Sequence, residues 1–135
     1  MIVLDTSIVS LAFRRRVRPV PEPAAVLRFR NFIIAGDPMF LPGICLQEFL
    51  SGARTPEQGR RLASVVEGFE IRPAAEADHR LGAWISTTCR HVGVALTTVD
   101  ALIAAQTIRA RGRLFTLDAD FVRIPRSLGL RLVES

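Results

Sequence analysis

Four acidic residues stand in places where the surrounding sequence is apolar. They are Asp5, Glu48, Asp100 and Asp118. Asp5 follows the apolar residues 2–4 and Asp118 follows residues 114–117, so both are expected at the carboxyl ends of buried strands. Glu48 and Asp100 interrupt apolar segments with helical spacing. Because parallel strands bring their carboxyl ends to one edge of a sheet, all four can converge there.

Convergence of four carboxylates has an electrostatic cost. Two carboxylates about 4 Å apart repel each other by about 4 kcal/mol at an effective dielectric constant near 20. A divalent cation, a basic side chain or protonation must therefore relieve the repulsion, and the chain contains no Lys. Ligands that are all oxygen favour Mg²⁺ or Mn²⁺ over Zn²⁺. Such a metal acidifies a bound water and withdraws charge from a phosphate, so the spacing predicts metal-dependent phosphodiester hydrolysis.

Each acid taken alone has a structural interpretation. Asp5 could cap the following helix, and Asp100 could lie in a first helical turn, where a negative charge complements the helix dipole. Asp118 could be a turn residue, and Glu48 could lie on an exposed helix face. Their coincidence at one predicted sheet edge favours the functional interpretation.

Composition limits the class of protein. The 135 residues suit one domain spanning residues 1–135, and 49% hydrophobic residues predict a packed core. All 18 basic residues are Arg and the net charge is +5, which favours an anionic partner such as a phosphate backbone. Cys45 and Cys89 have apolar neighbours and are predicted to be buried, reduced thiols. No targeting segment or stretch of about 20 apolar residues is evident, so a cytoplasmic protein without membrane contact is expected.

Short apolar strands alternate with helical patterns, which predicts an α/β fold with a mostly parallel sheet flanked by helices on both faces. The predicted strands are residues 2–4, 39–41, 69–71, 113–117 and 130–133, and residues 94–96 are expected to be short and extended. The predicted helices are residues 6–13, 24–35, 44–51, a helix opened by residues 55–57, then 74–90 and 98–110. Thr6 or Ser7 is expected to cap the first helix and Gly112 to close the last.

The chain resembles PIN-domain toxins of the VapC type in the order and spacing of several segments. These are Ile2-Val3-Leu4-Asp5-Thr6-Ser7, Glu48-Phe49-Leu50-Ser51-Gly52, residues 97–105, residues 114–121 and residues 128–132. The resemblance runs over essentially the whole chain. No single segment is specific, but the order and spacing of all of them together are.

The resemblance implies a site and an activity. Asp5, Glu48, Asp100 and Asp118 would be catalytic and would bind one or two Mg²⁺ or Mn²⁺ ions, with Asp120 as the alternative to Asp118 for the outer ligand. Thr6 and Thr116 would orient carboxylates or a water. The implied function is that of a type II toxin, an endoribonuclease that cuts RNA, often tRNA or ribosomal RNA, leaves a 5′-phosphate and a 3′-hydroxyl, and inhibits translation. A homodimer and a cognate antitoxin of the VapB type are also implied.

Several other side chains have two interpretations. Arg14, Arg15, Arg16 and Arg18 could contact RNA phosphates or the antitoxin, or could form a solvated basic loop. His79 and His91 are expected at the surface, because neither has an acidic or Cys neighbour at ligand spacing. Trp84 has apolar neighbours at helical spacing and is expected to pack in the core or at a dimer interface.

Two alternative functions have to be weighed. A phosphoaspartyl protein, such as a receiver domain or a haloacid-dehalogenase-like phosphatase, generally needs a Lys near the phosphoryl group, and this chain has none. The phosphatase also needs a second Asp two residues after the nucleophile, where Ser7 stands. A non-catalytic PIN-fold module that binds RNA or protein is the stronger alternative. Four mutually repelling carboxylates argue against it, because an idle site has no need to keep them.

Overall fold

Four short strands pair in parallel in a computed structural model that describes residues 1–14 and 20–134. They are β1 (Ile2–Leu4), β2 (Met39–Pro42), β3 (Glu70–Arg72) and β4 (Arg113–Phe115). Their order is β3-β2-β1-β4, with Ile2 in register with Met39 on one side and Arg113 on the other. The order reverses beside β1, and such a reversal opens a crevice at the carboxyl ends of the strands.

Helices connect the strands and cover the sheet. They are α1 (Thr6–Phe13), α2 (Ala24–Ile34), α3 (Gly43–Ser51), α4 (Pro56–Val66), α5 (Glu76–His91) and α6 (Thr98–Arg109), followed by short 3₁₀ turns at Ala119–Arg123 and Arg126–Leu128. Helix α1 contacts α2 and α3, while α5 packs along α6, which contacts β4. The predicted α/β fold with a parallel central sheet is confirmed. No helix in the described ranges is long and apolar enough to cross a membrane.

An aromatic cluster joins the sheet to the helices. It consists of Phe13, Phe29, Phe32, Phe69 and Phe115, whose neighbouring ring centroids lie 5.8–6.2 Å apart. Most of these pairs are edge-to-face, which adds about 0.5–1.5 kcal/mol per pair beyond the burial of apolar area. Phe29 is central, because it contacts three of the other rings and is 1% exposed. The cluster therefore fixes β4, which leads directly to the acidic residues.

The predicted last strand, residues 130–133, is wrong. Only Leu132 forms a bridge to the sheet, opposite Leu114. The register of that bridge places Leu130 opposite Gly112, whose N–H donates instead to the Thr107 carbonyl oxygen at the end of α6. Strand β4 also ends at Phe115 and not at residue 117, because the N–H of Leu117 donates to the Ser7 hydroxyl. Residues 94–96, expected to be extended, form no strand.

The ends of two helices also differ from the prediction. The N-cap of α1 is Asp5, not Thr6 or Ser7, and its side chain makes no capping hydrogen bond. The left-handed residue after α6 is Arg111, with φ of 54°, and not Gly112. Gly112 is required for space, because a Cβ there would lie 2.9 Å from the Met1 carbonyl oxygen. The β1 strand passes too closely for any side chain at this position.

Predictions about individual side chains have mixed outcomes. Cys45 and Cys89 are buried and free, and His79 and His91 are exposed, as expected. The core position expected for Trp84 is wrong, because this side chain is 61% exposed. Helix α5 buries a different face, formed by Asp78, Gly82, Ile85 and Cys89. The other expectation for Trp84, packing in a dimer, stays a prediction.

Candidate metal centre

Asp5 lies at the carboxyl end of β1 and is 6% exposed. Its Oδ2 accepts short hydrogen bonds from the hydroxyls of Ser7, at 2.6 Å, and Thr116, at 2.7 Å. Its Oδ1 faces the Cys45 thiol, with the sulfur 4.0 Å away. The buried carboxylate is therefore held by hydroxyls from α1 and from the segment after β4, and although Asp5 is the N-cap residue of α1, its carboxylate makes no capping hydrogen bond.

Asp100, Asp118 and Asp120 form an oxygen cluster at the same edge of the sheet. One carboxylate oxygen from each lies within 4.8 Å of the others. Asp100 is in the first turn of α6, where its N–H donates to the Thr97 hydroxyl at 3.1 Å. Asp118 follows β4, and its Oδ1 accepts the N–H of Asp120 at 2.9 Å. Three convergent carboxylates with only oxygen donors fit a hard divalent cation.

The crowding of carboxylates affects the pKa of Asp100. Burial, together with the charges of Asp118, Asp5 and Asp120, raises the pKa of Asp100 to about 6, after the Thr97 hydroxyl has counteracted part of the rise. Because the charge of Asp5 acts on Asp100, the buried carboxylate and the oxygen cluster share one electrostatic site. A cation bound there would remove the repulsion that raises the pKa.

Glu48 reaches this edge of the sheet from α3 but stands outside the oxygen cluster. Its side chain is exposed, and its Oε1 accepts the Thr6 hydroxyl at 2.8 Å. Burial, followed by the charges of Asp5 and Glu48, raises the pKa of the Cys45 thiol to about 12. Glu48 is thus associated with Asp5 through Thr6 and Cys45, on the α3 side of the site. The expected orienting hydroxyls, Thr6 and Thr116, contact Glu48 and Asp5 respectively.

Three residues at the site were not singled out from the sequence. Ser7 donates to Asp5 and accepts the N–H of Leu117, yet its place two residues after Asp5 suggested only a helix cap. Thr97 caps α6 three residues before Asp100, a spacing from which capping could have been inferred. Cys45 was expected to be buried, but no sequence signal indicated that it would face Asp5.

Arg14 is engaged with the protein itself. Its Nη2 donates to the carbonyl oxygen of Phe49 at 3.2 Å, and its guanidinium lies 5.8 Å from the centre of the Phe49 ring. The same group packs against Gly52, where a Cβ would require the guanidinium to move. Arg14 therefore secures the end of α3, and contact with RNA or an antitoxin stays a prediction for it. Arg15, Arg16 and Arg18 lie outside the described residues.

Asp100→Asn is expected to stabilise the metal-free protein at pH 7.5 but much less at pH 4.5. A carboxyl pKa raised to about 6 in the folded state, from 3.8, contributes stability at low pH that is lost as the pH rises through 6. Asn does not titrate, so the variant should gain about 1 kcal/mol over wild type at the higher pH, after discounting for solvent screening. Thermal unfolding in EDTA at the two pH values measures this. An equal difference between the proteins at both pH values would contradict it.

Comparison with known proteins bears on this geometry. The family model described as the PIN domain matches residues 2–127. No curated protein matches the chain. Among solved structures, FitAcB from Neisseria gonorrhoeae is similar, with a TM-score of 0.76 at 20% identity over 99% of this chain and 97% of the other.

Two further structures share the fold at low identity. VapBC-1 from nontypeable Haemophilus influenzae has a TM-score of 0.76 at 20% identity, covering 99% of this chain and 98% of the other. VapBC-5 from Mycobacterium tuberculosis, a member of the VapBC family of toxin–antitoxin systems, has a TM-score of 0.67 at 18% identity, covering 98% and 97%. Similarity at this level of identity establishes the fold, and the family model identifies it. The chain belongs to the PIN domain family.

Proposed function

We propose that this chain is a Mg²⁺- or Mn²⁺-dependent endoribonuclease of the VapC type, the toxin of a type II toxin–antitoxin module. The observation that carries the proposal is the cluster of Asp100, Asp118 and Asp120 oxygens within 4.8 Å beside the buried Asp5. The raised pKa of Asp100 supports a site made for a cation, because it arises from burial and from the charges of neighbouring carboxylates, and a bound cation would offset both.

Asp100, Asp118 and Asp120 would hold the metal, with Asp5 and Glu48 approaching from β1 and α3. A bound metal would lower the pKa of the attacking water, which makes it easier to deprotonate, and would draw charge from the phosphate oxygens. Asp5 is kept in place by the hydroxyls of Ser7 and Thr116, and Glu48 by that of Thr6. The protein thus supplies fixed carboxylate oxygens, which is the preorganisation that such hydrolysis requires.

RNA is the proposed substrate, with tRNA or ribosomal RNA as the class that the VapC resemblance implies. The net charge of +5, carried entirely by Arg, supports binding of a phosphate backbone. Cutting these RNAs would inhibit translation and would place the protein in the cytoplasm. A VapB-type antitoxin is proposed with it, supported by the toxin–antitoxin systems among proteins of the same fold. Homodimerisation is proposed from the VapC resemblance.

Induction of the chain in a bacterial host that lacks the antitoxin tests the proposal. Wild type is expected to arrest growth and to produce new RNA 5′-phosphate ends at discrete positions, which sequencing of such ends would identify. Asp100→Asn should do neither, because it removes one ligand of the oxygen cluster. Asp37→Asn, a change at an exposed acid before β2, is the matched control and should behave as wild type.

The outcomes separate the proposal from a binding-only module. New RNA ends that appear equally with wild type and Asp100→Asn would contradict the assigned site. Growth arrest by both proteins without new ends would favour a non-catalytic PIN-fold protein that binds RNA or a protein partner. The identity of the cut RNA follows from the same data, since the sequenced ends map to it.

A further inference from the structure

Two backbone amides in the segment after β4 are connected to Asp5 through hydroxyl groups. The N–H of Leu117 donates to Ser7 Oγ at 2.9 Å, and Ser7 Oγ donates to Asp5 Oδ2 at 2.6 Å. The N–H of Asp118 donates to Thr116 Oγ1 at 3.0 Å, and Thr116 Oγ1 donates to the same Asp5 oxygen at 2.7 Å. A hydroxyl has one hydrogen and two lone pairs, so each can make both bonds at once.

The two connections differ in what they join. Thr116 belongs to the segment after β4, so its hydroxyl links that segment to Asp5 from within. Ser7 belongs to α1, so its hydroxyl links three elements, namely the end of β1, the first turn of α1 and the backbone at Leu117. The Ser7 and Thr116 oxygens also lie only 3.4 Å apart, so the pair forms a continuous hydroxyl layer behind the carboxylate.

Both hydroxyls donate to Oδ2 of Asp5, and neither donates to Oδ1. The contact found for Oδ1 among the described residues is the Cys45 sulfur at 4.0 Å, which is a long and weak hydrogen bond. Oδ1 is therefore the oxygen of Asp5 that can exchange its partner for a cation. Ser7 contributes to this asymmetry, because without it Oδ2 would keep only the Thr116 hydrogen bond.

We propose that Ser7 is a positioning residue of the metal centre. Its hydroxyl orients Asp5 so that Oδ1 faces the cation, and it holds the segment that bears Asp118 and Asp120 close enough for their carboxylates to bind the same cation. This inference rests on the proposed metal-dependent function. Ser7 is half-buried and lies behind the carboxylate, so it acts through Asp5 and Leu117 and does not itself bind the metal or the substrate.

The test measures binding of Mn²⁺ to the purified protein. Binding is detected as a decrease in the electron paramagnetic resonance signal of free Mn²⁺. Ser7→Ala should raise the dissociation constant about 10- to 100-fold, the usual effect of removing a group that orients a ligand. Ser7→Thr keeps the hydroxyl and should stay within about threefold of wild type, on the same reasoning. Ser10→Ala makes the same chemical change one turn further along α1 and should leave binding unaltered.

Each result decides the matter. Ser7→Ala binding Mn²⁺ within twofold of wild type would overturn the positioning role, as would a folded Ser7→Thr protein that binds as weakly as Ser7→Ala. If wild type binds Mn²⁺ and Ser7→Ala binds it more weakly, but wild type cuts no RNA, the positioning role is supported and the proposed nuclease activity is refuted. Wild type that binds no Mn²⁺ would overturn the metal centre and the role of Ser7 together. Circular dichroism of every variant shows that the fold is retained.

Discussion

Asp5→Asn is expected to lower the rate of RNA cleavage by about three orders of magnitude while leaving the protein folded. The amide oxygen of Asn can still accept the hydroxyls of Ser7 and Thr116, so the buried hydrogen bonds survive. The amide nitrogen would then replace Oδ1, and an NH₂ group cannot bind a cation. A metal contributes several kcal/mol to stabilisation of the transition state, and each 1.36 kcal/mol is a factor of about ten in rate.

The rate would be measured in single turnover on the RNA that the induction experiment identifies, with Mg²⁺ in excess. Asp37→Asn is again the control, since it makes the same chemical change at an exposed acid that precedes β2 at the opposite edge of the sheet. Cleavage by Asp5→Asn at the rate of wild type would refute the catalytic assignment of Asp5. Unfolding of Asp5→Asn would show as a lost circular dichroism signal and would be recognised before the rate is interpreted.

Phe29→Ala is expected to produce the largest loss of stability, about 3–5 kcal/mol in the free energy of unfolding. The ring is 1% exposed and packs against Phe13, Phe69 and Phe115, so its removal leaves a cavity between α2 and the sheet. Because Phe115 ends β4, the segment that bears Asp118 should also lose order.

Urea unfolding followed by circular dichroism measures the change. Leu27→Ala, on the same helix but 44% exposed, is the control and should cost less than about 1 kcal/mol. If Phe29→Ala lowers the free energy of unfolding by less than about 1.5 kcal/mol, which is below the range expected for a buried Phe, the aromatic cluster is not a main source of stability.

The elements of the fold were predictable where the signal is local. Residues 2–4 and 6–13 were predicted with the bounds that β1 and α1 have, because an apolar run and a helical period are visible in the sequence itself. The strand expected at residues 130–133 is reduced to one bridge, in which Leu114 bonds to Arg131 and Val133. The strand expected to continue to residue 117 ends at Phe115, because the N–H of Leu117 donates to the Ser7 hydroxyl. Whether a backbone group bonds to a strand or to a side chain depends on contacts between residues far apart in the chain.

The same distinction applies to the site. Asp100 and Asp118 could be predicted from their positions within a helix and after a strand, and their carboxylates do converge. Asp120, which only the family resemblance offered and as an alternative to Asp118, lies beside both. The structure separates Glu48 from that cluster and associates it with Thr6, which no spacing in the sequence reveals. The role proposed for Ser7 rests on a hydrogen bond from a residue 110 positions away. Side-chain partnerships across such separations follow from the fold and not from local pattern.

The exposure of Trp84 gives the protein a built-in optical reporter. The chain has one Trp and no Tyr, so nearly all of its ultraviolet fluorescence must come from this indole, which stands 61% exposed on α5. The emission colour of an indole depends on whether it meets water or an apolar surface. A partner that packed on the exposed face of α5 would cover the indole and move its emission toward the blue, so such assembly can be followed without any label.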